Sequence, residues 1–216
     1  MTLLFIRTDH DTATHYLYKL TEPLIPEAES RGYRVDRVEG EDKNFKNIDK
    51  RIRNGKYQFI FFNGHGTDSA FHDNKRREFI NMGSVNLLKG TVTFARACDS
   101  LKKLALEAVK HGCDAFIGYK NKLWVARYHN TECNPEKDPI ATKIINCSNT
   151  VVRELLKQKT VEEAISESHK HSIREITEMI YSKEPLFSPT LAALLMNDES
   201  LGYHGNPNAR LNSTPT

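Results

Sequence analysis

Two stretches decide the fold of this 216-residue chain: Tyr57-Gln58-Phe59-Ile60-Phe61-Phe62 leading into Asn63-Gly64-His65-Gly66, and Val92-Thr93-Phe94-Ala95 leading into Arg96-Ala97-Cys98-Asp99-Ser100. Each run is short, rich in β-branched or aromatic residues, and closed by Gly or a small residue. That is the pattern of a strand buried on both faces of a parallel sheet. Functional groups in such sheets gather just past the carboxyl ends of the strands. His65 and Cys98 hold that place on two separate strands, where an imidazole and a thiol form a proton carrier and a nucleophile.

Working outward, Leu3 to Ile6 is a third apolar strand, and it stops at Arg7-Thr8-Asp9-His10-Asp11. This charged cluster is therefore expected on the same rim as His65 and Cys98. Leu17, Leu20, Leu24 and Ile25 have helical spacing interrupted by Pro23 and Pro26, and Tyr33 to Val38 reads as an outer strand. Phe45, Ile48 and Ile52 predict a short amphipathic helix. Thr67 to Gly90 reads as a polar, irregular loop and connector with a weak helical patch at Val85 to Leu88. Leu101, Leu104, Ala105, Ala108 and Val109 give a helix directly after Cys98, stopped by Gly112, and Cys113 to Gly118 is another buried strand.

Further on, Ile140 to Leu156 reads as a helix. Thr160-Val161-Glu162-Glu163 opens the next with a capping-box pattern. Pro185 and Pro189 predict a turn, Thr190 to Met196 a short helix, Leu201 to His204 a last strand, and 212–216 a frayed tail. Strands alternate with helices, so the expected class is α/β with a largely parallel sheet, in a single domain over 1–211.

Composition narrows the partners. Charged residues make up 27% and the net charge is +3, too weak and too dispersed to argue for nucleic acid. No apolar run approaches the ~18 residues of a membrane span. The amino terminus reads as a strand and not as a signal peptide. Cys98, Cys113, Cys133 and Cys147 have irregular spacing and fit reduced thiols in a cytoplasmic protein. With His111 or His129 they match no zinc frame, so neither a metal nor a cofactor is expected.

An apolar strand ending in His65-Gly66, then a second ending in Ala97-Cys98-Asp99-Ser100, resembles the signature of caspase-like (clan CD) cysteine peptidases. The order of further pieces is similar to the CHAT-domain branch: Gly112 to Gly118, Leu123-Trp124-Val125, Lys159 to Ile165, and Gly205-Asn206-Pro207-Asn208-Ala209-Arg210-Leu211. The resemblance covers about residues 57 to 211. Leu101 stands where that branch often has Gly, and the interval between His65 and Cys98 is short.

The resemblance implies a three-layer αβα sandwich around a mostly parallel six-stranded sheet, and an endopeptidase acting on a specific protein as a regulated effector. Cys98 would be the nucleophile, His65 the proton carrier, and the backbone N–H groups of Gly66 and Cys98 the oxyanion donors. Arg96 and Arg7 sit at the positions that line the specificity pocket, which leans towards an acidic or polar residue before the scissile bond. Asp9, Asp68 or Asp99 would suit a basic one instead. Trp124 either borders the substrate backbone or fills the core. Any sensor or activator would be a separate chain. The other reading is a caspase-like interaction module without activity.

Overall fold

The computed structural model describes residues 2–39, 48–128, 131–182 and 187–211. Phe45, His129, Pro185 and the tail 212–216 lie outside them. Six strands form one sheet: β1 (Thr2–Arg7), β2 (Arg34–Val38), β3 (Phe59–Asn63), β6 (Val92–Arg96), β7 (Ala115–Tyr119) and β8 (Leu201–Gly205), in the order β2-β1-β3-β6-β7-β8. All neighbours pair in parallel except β7 and β8, which are antiparallel. The mostly parallel six-stranded α/β sandwich is thus present. The order reverses at β1, with β2 on one side and β3 on the other. A crevice opens at such a switch point, outside the carboxyl ends of the strands.

Alternation along the strands divides the core. Leu3, Phe5, Phe59, Phe61, Val92, Phe94 and Ile117 face α2 (Leu24–Ser30), α5 (Pro139–Leu156) and α6 (Val161–Ser182). Leu4, Ile6, Ile60, Phe62, Ala95 and Phe116 face α3 (Ile48–Gly55), α4 (Lys103–Lys110) and a hairpin. A third cluster joins α1 (Thr12–Thr21), α5, α6 and α7 (Phe187–Ser200).

Local chemistry sets the helix ends. Asp11 caps α1 through the Thr14 N–H, and Thr14 returns a bond to the Asp11 N–H. Pro23 separates α1 from α2, since its ring fits only the start of a helix. Asp138 caps α5 ahead of Pro139. The expected Thr160–Glu163 box is present at α6.

The hairpin corrects one expectation. Thr67 to Gly90 is not irregular: β4 (Ala70–His72) pairs antiparallel with β5 (Glu78–Asn81), and Val85–Leu88 forms a 3-10 turn. Phe71 stacks on Phe62 at 4.3 Å between ring centroids, so aromatic packing holds these very short strands on the sheet. A second correction concerns Pro189, which lies inside the first turn of α7, where its missing N–H costs little.

Phe61 lies at the centre of one face, 5.3 Å from both Phe5 and Phe94 between centroids, with the Arg96 guanidinium 5.1 Å above it. Phe61→Ala is expected to cost ~3–5 kcal/mol in urea unfolding, with an unchanged slope. A loss below ~1 kcal/mol would contradict this packing.

Candidate active site

Register brings the strand ends level. Arg7 pairs with Asn63, and Asn63 with Arg96. The loops that follow therefore leave one rim side by side. The Gly64 N–H donates to the Arg96 carbonyl at 3.2 Å. Gly66 lies so close to the neighbouring loop that a Cβ there would sit 2.9 Å from the Ala97 Cβ and 3.6 Å from the Cys98 carbonyl oxygen. His65 and Cys98 are equivalent positions, two residues past the paired Asn63 and Arg96. Their side chains are half-buried.

Asp11 completes the group. Its Oδ2 lies 2.6 Å from His65 Nε2, while its Oδ1 accepts the Thr14 N–H at 2.9 Å. Burial by itself would raise the Asp11 carboxyl. The Thr14 backbone bond, and bonds from His65 and the Thr14 side chain, outweigh it and hold the group at about 2. With Nε2 committed to Asp11, Nδ1 is the nitrogen His65 has left for another partner. The sequence reading put Asp11 on this rim but gave it no role. Its signal was an Asp at the cap of a helix immediately after a buried strand.

Cys98 is held by a web of main-chain bonds. Its Sγ accepts the Leu123 N–H at 3.4 Å. The Asp99 N–H donates to the Asn121 carbonyl and the Leu101 N–H to the Tyr119 carbonyl. Ser100 is fully buried; its hydroxyl donates towards the Ala95 and Ala97 carbonyls and accepts the Tyr119 N–H. Gly118 must be Gly here, because a Cβ would meet Ser100 Oγ at 2.6 Å. Leu101 packs in the core. Asp99 turns the chain with φ of 56°, a conformation Asp tolerates better than most residues. The helix expected directly after Cys98 begins only at Lys103, because residues 99–102 make this turn first.

Gly66 bridges Phe71 in β4 through bonds made by its neighbours: Thr67 N–H to the Ala70 carbonyl and His72 N–H to the His65 carbonyl. In that kind of pair the central N–H points away from the partner strand. The Gly66 N–H is thus turned from β4.

The proposed specificity residues fare differently. Arg7 is fully buried, bonded to Glu22 at 2.6 Å and to Glu39, and stacked on Tyr18. Arg96 is fully buried too; Nη2 donates to Asn149 at 2.7 Å, and burial pushes its pKa down to about 10. Neither can present its charge to a ligand, so the acidic-preference argument built on them fails. Asp9 pairs with His15, Asp68 with Lys103 and Asp99 with Lys102, at 2.9, 2.7 and 2.5 Å. These are partly exposed pairs, which hold the carboxylates only weakly.

Trp124 does not fill the core; it is 46% exposed. Asn197 grips its backbone, accepting from its N–H at 2.8 Å and donating to its carbonyl at 2.7 Å. The preceding Leu123 N–H points instead to Cys98 Sγ. A cleft of about 330 Å³ runs between Asp11, Thr12, Ala13 and Tyr16 on one wall and Val125 and Arg127 on the other. The four cysteines are unpaired. Cys113 and Cys147 are buried in separate clusters, and burial raises their thiols to about 11 and about 12. Among the described residues, the group with metal-ligand potential is His10, Asp11 and His65, which the sequence reading did not single out.

Neither a family model nor a curated protein matches the sequence. Solved structures do. In fold, the chain is similar to gingipain R. The Arg-specific cysteine proteinase gingipain R (RgpB) aligns with a TM-score of 0.57 at 13% identity, over 97% of this chain and 47% of that one. A complex of the pro- and mature domains of Porphyromonas gingivalis RgpB gives 0.56 and 12%, over 96% and 47%. The chain thus spans about half the length of these neighbours. The caspase-like expectation for the fold holds, and these comparisons lend the CHAT branch no support. No helix among the described residues is long and apolar enough to cross a membrane.

The depressed Asp11 carboxyl has a stability consequence. A carboxylate whose folded pKa lies below its unfolded value contributes fully above the unfolded value and loses that contribution as pH falls through the folded one. The unfolding free-energy difference between wild type and Asp11→Asn, which keeps the cap, should shrink between pH ~4 and pH ~2. A difference constant over that range would show that the carboxylate is not engaged.

Proposed function

We propose that the chain is a cysteine endopeptidase of the caspase-like type, with Cys98 as nucleophile, His65 as proton carrier and Asp11 as the residue that positions His65. The observation that carries this reading is the His65 imidazole, fixed through Nε2 by a half-buried carboxylate, at the strand end level with Cys98. The gingipain likeness supports the fold on which such chemistry runs.

The steps follow from the groups. His65 Nδ1 takes the Cys98 proton, and the thiolate adds to the scissile carbonyl. The imidazolium, stabilised by Asp11, then protonates the leaving amine as the C–N bond breaks. Water, deprotonated by His65, hydrolyses the thioester and returns the thiol. The Gly66 N–H, turned away from β4, and the Cys98 N–H are the oxyanion donors. The substrate lies along Leu123 to Val125 as an added strand, with Trp124 held to the outside by Asn197. The residue recognised before the scissile bond is not assigned by Arg7 or Arg96. The partner is a protein or peptide, and an activating chain is compatible with a hairpin that borders the site.

The test compares wild type, Cys98→Ala, His65→Ala and Asp11→Asn on a fluorogenic peptide panel and with an electrophilic peptide probe. Cys98→Ala and His65→Ala should lose activity by ~10²–10⁴-fold, and Asp11→Asn by ~10–10³-fold, chiefly in kcat. The probe should label Cys98, and labelling should depend on His65. Equal turnover by Cys98→Ala, or labelling that ignores His65, overturns the assignment. The inactive-module reading predicts no selective label at all.

A further inference from the structure

We infer that His10, Asp11 and His65 form a zinc site that switches off the proposed dyad. The ligand atoms of these three residues all lie within 4.8 Å of one another. Asp11 Oδ2 is 2.6 Å from His65 Nε2 and 3.8 Å from His10 Nε2. Ligands of a tetrahedral zinc ion, each about 2.0–2.1 Å from the metal, are spaced about 3.4 Å apart. The two gaps bracket that spacing, so small side-chain rotations suffice.

His10 supplies the independent observation. Its side chain is only 14% exposed, and neither ring nitrogen makes a hydrogen bond of ordinary geometry, with the Asn74 amide as a looser polar neighbour. An imidazole this far from solvent, with no hydrogen bond of ordinary geometry at either nitrogen, is costly unless something else satisfies it. The ring stands edge-on to His65 at 5.3 Å between centroids. Thr14 fixes the Asp11 carboxylate through Oδ1 and leaves Oδ2 for the cluster. Arg76 is the nearby cation, and it is exposed on the β4–β5 turn, where solvent screens it. Two imidazoles and one carboxylate favour zinc over magnesium or calcium, and leave a fourth position for water.

The consequence for activity rests on the peptidase reading; the binding does not. Zinc on His65 Nε2 displaces the Asp11 hydrogen bond and leaves the imidazole proton on Nδ1. That nitrogen then has no lone pair with which to take the Cys98 proton, and the thiolate does not form.

Zinc chloride titrated calorimetrically into the full chain should show one site. Affinity should fall at least about tenfold in His10→Gln and in Asp11→Asn, which retains the helix cap, and should be unchanged in Cys98→Ala. X-ray absorption of the zinc-loaded protein should show a nitrogen and oxygen shell without sulfur. Unchanged affinity in both His10→Gln and Asp11→Asn, or sulfur in the first shell, overturns the site. Because Cys98→Ala binds zinc without a nucleophile, failure of the peptidase reading leaves this result intact. Inhibition is read separately: zinc should protect Cys98 from the electrophilic probe in wild type, and protection should weaken in His10→Gln. Labelling of zinc-saturated wild type at the zinc-free rate overturns the switch.

Discussion

The in-register parallel pairing of β1, β3 and β6 is the constraint on which the rest depends. Arg7, Asn63 and Arg96 are partners across three adjacent strands. Side-chain register in a sheet is unforgiving, since a slip of one residue moves every apolar group to the opposite face. The phenylalanines of β1, β3 and β6 enforce the register by filling one face with interlocked rings. The same register leaves three chain ends flush. Asp11, His65 and Cys98 are then at fixed counts beyond that line, and no long-range loop geometry is needed to bring them to one rim.

That rim is expensive to build. Arg7 and Arg96 are both fully buried on the face covered by the long helices, and they are resolved differently. Arg7 is neutralised by Glu22 and Glu39, two residues brought in by α1 and by the chain after β2. Arg96 has a single amide acceptor, lies over the Phe61 and Phe94 rings, and keeps Nε and Nη1 without partners. Asn63, its register partner, is buried with both amide atoms unbonded. Unsatisfied groups of this kind lower stability and are tolerated mainly near functional sites. They lie directly beneath the loops that carry His65 and Cys98.

Much of the architecture was legible because the relevant strands are buried on both faces. Phe59-Ile60-Phe61-Phe62 and Val92 to Ala95 show no polar face, and short β-branched and aromatic runs closed by Gly or a small residue mark them. The Thr160–Glu163 box was legible because its chemistry is local. The β4–β5 hairpin was not, since strands of three and four residues leave no period to read, and Phe71, Phe79 and Ile80 carry their packing. Charge misled at Arg7 and Arg96: a lone arginine at a strand end reads as exposed, and nothing nearby in sequence announces Glu39 or Asn149. His65 and Cys98 were singled out through motif context, and the register brings their strand ends level. Asp11 sat in a cluster with Asp9, and only the orientation of the α1 cap tells the two carboxylates apart.

In the proposed reading, that orientation also makes one atom decide the state of the site. Asp11 divides its oxygens, Oδ1 to the helix and Oδ2 to His65. The first bond anchors the carboxylate to a rigid element, so the second cannot follow the imidazole if it turns. In the proposed mechanism, His65 Nε2 is therefore either bonded to Asp11, which leaves Nδ1 for the proton of Cys98, or taken by a metal, which closes that exchange. Since His10 stands against the same oxygen, the second state needs no loop rearrangement. The choice between them is a choice of occupant at one ring nitrogen, and the helix cap holds both options open.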